Sequence, residues 1–294
     1  MRISQKALDE CEPLFQGFLE HRDIISIFRS DLFDAVGEDR DLYSETVRVL
    51  TAYQFDRALG AYCLLVNGLV WDSEIVLRSF YETVVKVFFL STASTEIRGG
   101  LLKEFWEVLP AIYDAKGAEK AKSPEKLARS QGRIDDARIF EFLQRPENFS
   151  IEGPGNRQFR KSVEQKWSFS KIVDVLNRGG DGHQKISRID AMFHNYGMAS
   201  HLSHASPKVF DLLEDRATRG EDLVLLEVAH VGRMLSDIVS LTVFSLHQVQ
   251  VSLLGVMPMA DILVKAYSRM LDLTKPYQEA FQRSQDDLYR DPSQ

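Results

Sequence analysis

The chain has 294 residues with an ordinary balance of types, since 44% are hydrophobic and 27% are charged, and its formal net charge is −7. This composition excludes collagen-like and wholly disordered chains, and the length favours one large domain or two modest ones. Two cysteines, Cys11 and Cys63, are too few for a disulfide framework, so we expect small buried hydrophobes in a reducing cytoplasm. No apolar segment is long and uncharged enough to span a membrane, so we expect a soluble protein without membrane contact.

The periodicity of the sequence predicts an all-α fold. Apolar residues recur at spacings of three and four along the whole chain, whereas the alternation typical of strands does not. We therefore predict a multi-helix bundle with long central helices, forming a single helical domain over residues 1–294 with its core at about 40–256. A surface loop at 145–166 and a charged C-terminal tail at 275–294 complete the predicted organisation.

The first three predicted helices are long. One segment covers residues 4–36 and is interrupted or restarted at Pro13, because proline disrupts a helix interior. A second helix covers about 41–66, and a third begins near Asp72. This third helix is apolar over most of its circumference, which is typical of a central helix packed on several neighbours.

Shorter helices follow in the second half of the sequence. Ser123 and Pro124 form a cap-plus-proline signature that predicts the start of a new helix over 124–144. The remaining predicted helices lie at about 100–116, 167–176, 184–204, 207–215, 221–256 and 259–273.

Charge is unevenly distributed along the chain. Residues 116–171 hold 13 Lys and Arg against 8 Asp and Glu, whereas the rest of the chain is acidic. Basic and aromatic side chains that alternate can contact phosphates and stack on bases, so RNA or a nucleotide is a candidate partner, with a solvated basic face as the alternative. The candidate substrate-binding residues are Arg157, Arg160, Lys161, Lys166 and Arg188.

Three of the seven histidines cluster between residues 194 and 204. On one continuous helix His194 and His201 lie almost in register, while Tyr196, Ser200 and His204 form an adjacent strip. Phenol, hydroxyl and imidazole would then share a face, on which a histidine could act as general acid or base near neutral pH.

Other interpretations of the histidine cluster remain open at this point. The histidines could bind one metal ion together with Asp190, although the glutamate of a zincin motif is missing. They could equally be polar caps and interhelical hydrogen bonds near Pro207. His230, alone on a long helix, is expected to be a hydrogen-bonded core or surface residue.

A second polar constellation lies on the apolar third helix, where Glu74, Arg78, Glu82 and Lys86 recur at every fourth position. One interpretation is an ion ladder along a solvated edge. The other is a charged wall that faces the strip containing His204. In the second case Arg78 could bind a phosphate, with Glu82 fixing its guanidinium.

These two constellations resemble a known family. Leu-Arg-Ser-x-x-Glu at 77–82, followed by Tyr-x3-Ser-x3-His at 196–204, is similar to prokaryotic all-helical proteins grouped as a domain of unknown function, which look related to HEPN-type domains. The resemblance covers about residues 40–250. It implies a helical bundle, often a homodimer, with a polar centre formed by Arg78, Glu82, Ser200 and His204.

Many HEPN-type domains are metal-independent endoribonucleases of toxin or antiviral systems that use an Arg-x4–6-His motif. Arg178 with His183 and Arg188 with His194 match this motif, but the second pair would lie about 120° apart on a continuous helix. One hypothesis is therefore a cofactor-free endoribonuclease or nucleotide-processing enzyme, in which His204 or His194 acts as acid or base and Arg78 or Arg188 binds phosphate. The alternative is a non-catalytic helical module that binds a protein partner or a small ligand.

Overall fold

The computed structural model describes residues 2–38, 41–145, 157–194, 196–204 and 207–290. These residues are predominantly α-helical and contain no β-strand, only an isolated bridge between Ala93 and His183. The all-α prediction is therefore confirmed.

The helices are connected mostly by short turns. In chain order they are α1 (Gln5–Val36), α2 (Leu42–Val66), α3 (Val70–Thr92), α4 (Thr95–Lys103), a π-helical turn (Glu104–Val108), α5 (Leu109–Ser130), α6 (Ile134–Phe142), α7 (Arg157–Lys166), α8 (Phe169–Arg178), α9 (Ile189–Met192), α10 (Tyr196–Ser203), α11 (Pro207–Thr218), a 3-10 turn (Gly220–Asp222), α12 (Leu223–Leu254) and α13 (Asp261–Arg290).

The chain divides into two compact units. The first contains the residues up to Thr92 together with those from Lys185 onward, and the second contains residues 93–184. In the first unit α3 packs against α2, α12 and α10, while α12 also packs against α1 and α13. Leu77, Phe80 and Val84 on α3 are fully buried, so the predicted central helix does lie at the core of this unit.

The second unit is built mainly from α4 to α8. Trp167 is buried, and its indole Nε1 donates to Glu104 at 2.9 Å, which ties the residue after α7 to the π-helical turn. Lys166 Nζ donates to the same carboxylate at 3.0 Å. Gly182 adopts a positive φ of 81°, and a Cβ there would meet the Ile97 side chain at 3.0 Å, so this turn favours glycine.

Proline is a weaker breaker here than the sequence predicts. α1 continues through Pro13, α5 through Pro124 and α13 through Pro276, so the predicted restart at 13, the predicted helix start at 124 and the separate tail after 275 are wrong. An interior proline costs about 3 kcal/mol, so each of these helices depends on the packing of buried residues along its length. The residues buried around Pro13 and Pro124 are Cys11, Leu14, Ala121 and Ala128.

Two further predictions are corrected. Within the predicted 145–166 loop, residues 157–166 form α7, anchored by buried Val163, and residues 146–156 lie outside the described residues. The predicted 184–204 helix is in fact two short helices, α9 and α10. Arg188 takes a left-handed φ of 61° just before α9, and α9 ends at the buried Phe193.

The two cysteines differ in their exposure to solvent. Cys11 is buried as expected, but Cys63 is exposed on α2, so the expectation fails for that cysteine. Among the described helices, none has both the length and the apolar character that crossing a bilayer demands.

Candidate functional site

The two sequence motifs meet where α10 packs against α3. Nη1 of Arg78 lies 3.4 Å from Nε2 of His204, although the residues are 126 positions apart. Nε of Arg78 donates to Oε1 of Glu82 at 3.1 Å, and the hydroxyl of Tyr196 donates to the same oxygen at 2.8 Å. The Arg78 guanidinium also lies over the Tyr196 ring, 5.4 Å from its centroid. We call Arg78, Glu82, Tyr196 and His204 the polar centre.

Local sequence explains how this geometry arises. Arg78 and Glu82 are four residues apart on α3, so they share one helical face. Tyr196 begins α10, and His204 follows its last residue, with its backbone N–H bonded to the carbonyl of His201. Buried Phe193, which lies edge-to-face with Tyr81 at 5.9 Å, fixes the chain just before α10.

Burial and neighbouring groups shift the pKa values of two residues of the polar centre, Tyr196 and Arg78. Burial and the neighbouring Glu82 carboxylate raise the pKa of Tyr196 to about 12, so Tyr196 is a neutral donor near pH 7. Burial opposes the charge of Arg78, but the hydrogen bond to Glu82 and the charge of that carboxylate outweigh burial and raise the pKa of Arg78. Since a guanidinium only donates, Nε2 of His204 is the acceptor of a hydrogen bond between these two groups.

The polar centre is accessible to solvent. The side chains of Arg78 and Glu82 are 26% and 37% exposed, and His204 is exposed. An anionic group could therefore reach the guanidinium and the imidazole without a rearrangement of the core.

The other candidates of the histidine cluster are placed differently. Ser200 belongs to α10, but its side chain lies outside the described residues. His194 is exposed and precedes α10, so its predicted register with His201 on one helix is wrong. Among the described residues no group of three or more His, Cys, Asp or Glu is arranged to hold a metal ion.

The basic candidates divide between the two units. Arg157, Arg160, Lys161 and Lys166 belong to α7 in the second unit, where Lys166 is paired with Glu104. Arg188 is exposed at the start of α9 in the first unit. None of the contacts described for the polar centre includes Arg188.

The residues of the two Arg-x4–6-His matches lie in different local surroundings. Arg178 forms an ion pair with Asp174 on α8, whereas His183 is buried after that helix. Arg188 and His194 flank α9 rather than sharing one long helix.

Glu74 belongs to a buried network rather than to a solvated ladder. Its side chain is only 1% exposed, and its Oε1 accepts from Nε2 of His230 at 2.7 Å and from Nη2 of Arg233. Nη1 of Arg233 also donates to Asp237 at 2.9 Å, and the buried Tyr81 hydroxyl donates to the same carboxylate at 2.8 Å. The ion-ladder interpretation is therefore wrong for this end of the stripe.

The network fixes the charge states of its members. Burial opposes ionisation of Glu74, but Arg233 and His230 outweigh it and lower the pKa of the carboxyl. Burial also lowers the pKa of His230 despite Glu74, so the imidazole is neutral with its proton on Nε2. Burial likewise lowers the pKa of Lys86, which is half-buried at the other end of the stripe.

Sequence reasoning missed most of this network. His230 is the hydrogen-bonded core histidine that the sequence predicts, but Arg233 and Asp237 were not singled out. A signal was present, because these three residues are spaced by three and four positions on the otherwise apolar helix α12.

Comparison with known proteins places the polar centre within a family. The model of a family of unknown function (DUF5677) matches residues 46–220, a stretch that contains both α3 and α10. No curated protein and no solved structure matches the chain.

Proposed function

Because the chain belongs to the DUF5677 family, whose description assigns no activity, we propose a function from the polar centre: a metal-independent endoribonuclease in which His204 transfers protons and Arg78 binds the scissile phosphate. The observation that carries this proposal is the contact between Arg78 and His204 at a solvent-accessible surface. In phosphodiester cleavage without a metal, a fixed cation can stabilise the negative charge on the phosphate, and an adjacent imidazole can transfer protons.

The proposed reaction uses the 2′ hydroxyl of RNA as the nucleophile. Its oxygen forms a bond to phosphorus while the bond from phosphorus to the 5′ oxygen breaks, which yields a 2′,3′-cyclic phosphate and a free 5′ hydroxyl. The 2′ hydroxyl loses a proton to Nε2 of His204, and the leaving 5′ oxygen gains a proton from water. The Arg78 guanidinium stabilises the negative charge that grows on the non-bridging phosphate oxygens.

Binding of a phosphate would activate the histidine. In the free protein Nε2 of His204 accepts from Arg78. A phosphate oxygen is a stronger acceptor for a guanidinium than a neutral imidazole, so the bound substrate would displace His204 from Arg78. The Nε2 lone pair would then be available to the 2′ hydroxyl.

Glu82 and Tyr196 act as positioning residues in this proposal. Glu82 holds Nε of Arg78, and Tyr196 holds Glu82 while its ring lies under the guanidinium. Tyr196 stays protonated near neutral pH and does not serve as the base.

The proposal also includes a homodimer, a cytoplasmic location and a set of basic residues that contact RNA. A homodimer would contain two copies of His204. The resemblance to HEPN-type domains suggests a cytoplasmic protein of a prokaryotic toxin or antiviral defence system. In this proposal Arg188 in the first unit is a candidate contact for RNA, and Arg157, Arg160, Lys161 and Lys166 on α7 of the second unit are further basic candidates.

The test is cleavage of a fluorescently labelled RNA in the presence of EDTA by the wild type and three variants. We expect His204→Ala and Arg78→Ala each to lose about 100-fold or more in rate. His194→Ala, which removes an exposed histidine outside the polar centre, should keep the wild-type rate. Absence of cleavage by the wild type, or an unchanged rate in His204→Ala, would favour the non-catalytic module instead.

A further inference from the structure

A cavity of about 450 Å³ lies in the first unit beside the buried network. Its walls come from α3, α11, α12 and α13. The apolar lining includes Trp71, Leu226 and Phe281. The polar lining consists of Glu74, Arg216, His230, Arg233, Gln278 and Gln282. Small-molecule sites have this volume range and this combination of apolar walls with a few convergent polar groups.

Arg216 is a cation without a matching anion. Its Nε is buried and has no hydrogen-bond partner, and in the described part of the chain its side chain forms no ion pair with a carboxylate. Burial lowers the pKa of Arg216 to about 10, against the opposing charges of Asp215 and Glu227. The guanidinium therefore remains charged at neutral pH while it is largely withdrawn from water, a state that a bound anion would stabilise.

The carboxylates near Arg216 pair with other groups. Glu74 also lines the cavity; its Oε1 pairs with Arg233, while its buried Oε2 has no hydrogen-bond partner among the residues that the structure describes. Glu227 accepts hydrogen bonds from the backbone N–H and the hydroxyl of Ser4, at 3.1 and 2.8 Å. Neither carboxylate forms an ion pair with Arg216 in the described structure.

The guanidinium is also held in place before any ligand arrives. Nη2 of Arg216 lies 3.5 Å from Nδ1 of His230, whose Nε2–H is donated to Glu74. On its other side the guanidinium lies over the Trp71 ring, 5.7 Å from the centroid. A planar acid could therefore pair with Arg216 and pack against the same indole.

We propose that this cavity binds a small organic acid with an aromatic body, whose carboxylate pairs with Arg216 and whose ring packs against Trp71, Leu226 and Phe281. The site is distinct from the polar centre and does not depend on ribonuclease activity. Glu74 and Arg78 are one turn apart on α3, so both sites rest on the same central helix.

The test is calorimetric titration of the full chain with 2-naphthoate and with 2-naphthamide, its uncharged counterpart. We expect saturable binding of one naphthoate per chain and binding of the amide at least about tenfold weaker. Arg216→Gln should weaken naphthoate binding at least about tenfold. Arg219→Gln removes the same charge three residues away, at a side chain paired with Asp215, and should bind as the wild type does.

A second variant keeps the test decisive if Arg216→Gln folds poorly. Ala229→Leu adds volume at the cavity wall and retains Arg216, so it should also weaken naphthoate binding. No saturable binding of naphthoate, equal binding of the amide, or wild-type affinity in a folded Arg216→Gln would each overturn the proposal. His204→Ala should retain naphthoate binding, which separates this result from the fate of the ribonuclease proposal.

Discussion

Replacing Glu74 by glutamine tests the buried network, because this change removes one charge and almost no volume. The Glu74 carboxylate is 1% exposed and accepts hydrogen bonds from both His230 and Arg233. Water therefore does not reach the carboxylate to weaken these interactions. Breaking a buried ion pair by removing one partner costs about 3–5 kcal/mol. Arg233 is 25% exposed and keeps Asp237 as a partner, so we expect the lower part of that range, about 3 kcal/mol.

Urea unfolding at pH 7 measures this loss directly. Glu82→Gln is the matched control, since it makes the same change two turns along α3 at a side chain that is 37% exposed and paired with Arg78. Exposed pairs contribute about 0–1 kcal/mol, so the control should lose no more than that. If Glu74→Gln is destabilised no more than Glu82→Gln, the buried network does not stabilise the packing of α3 against α12.

The stability difference between the wild type and Glu74→Gln should depend on pH. The pKa of Glu74 is lowered in the folded state, so its stabilising contribution is complete above the ordinary glutamate pKa of about 4.3 and is lost as the pH falls through the folded value. The stability gap between wild type and Glu74→Gln should therefore narrow in acid. A gap that stays constant from pH 7 to the acid unfolding region contradicts this assignment.

Three further predictions concern the buried His21, the Tyr81 hydroxyl of the same network and the interior Pro124 of α5. Burial lowers the pKa of His21 to about 4, so the unfolded state takes up a proton before the folded state does, and the free energy of unfolding should fall by about 3 kcal/mol from about pH 6.5 to 4. Urea unfolding of His21→Leu across that range should no longer show this fall. An unaltered pH dependence in the variant would contradict the lowered pKa of His21. Tyr81→Phe removes the donor to Asp237 and should cost about 1–2 kcal/mol by urea unfolding, with wild-type stability as the contrary result. Pro124→Ala restores a helical hydrogen bond in α5 and should raise the thermal midpoint, whereas a lower midpoint would show that the proline is locally required.

The sequence predicts the fold class well because helical periodicity is a local property. The long helices α1, α2, α3 and α12 are recognisable from apolar spacing alone. Their interruptions are harder to predict, since whether a helix survives a proline depends on packing against distant residues. Pro13 and Pro124 lie inside helices for that reason, and no local signal distinguishes them from a helix start.

The candidate site shows the same division between local and distant information. Spacing places Arg78 and Glu82 on one face, and it places Tyr196 near His204, but only the tertiary fold brings the two pairs together. The position of Glu74 could not be predicted, because its burial depends on Arg233 and His230 from a helix far away in the sequence. The cavity beside them is formed by four helices and has no sequence signature.

One measurement tests the central proposal most directly: mass analysis of the products from an oligonucleotide that carries a single ribonucleotide within a DNA strand, incubated with the wild-type protein and EDTA. If the polar centre catalyses attack by a 2′ hydroxyl, cleavage should occur only after the ribonucleotide. The products should carry a 2′,3′-cyclic phosphate and a 5′ hydroxyl. Cleavage at deoxyribonucleotides, products with a 5′ phosphate, or an intact strand would contradict the proposal that Arg78 and His204 form a metal-independent ribonuclease site.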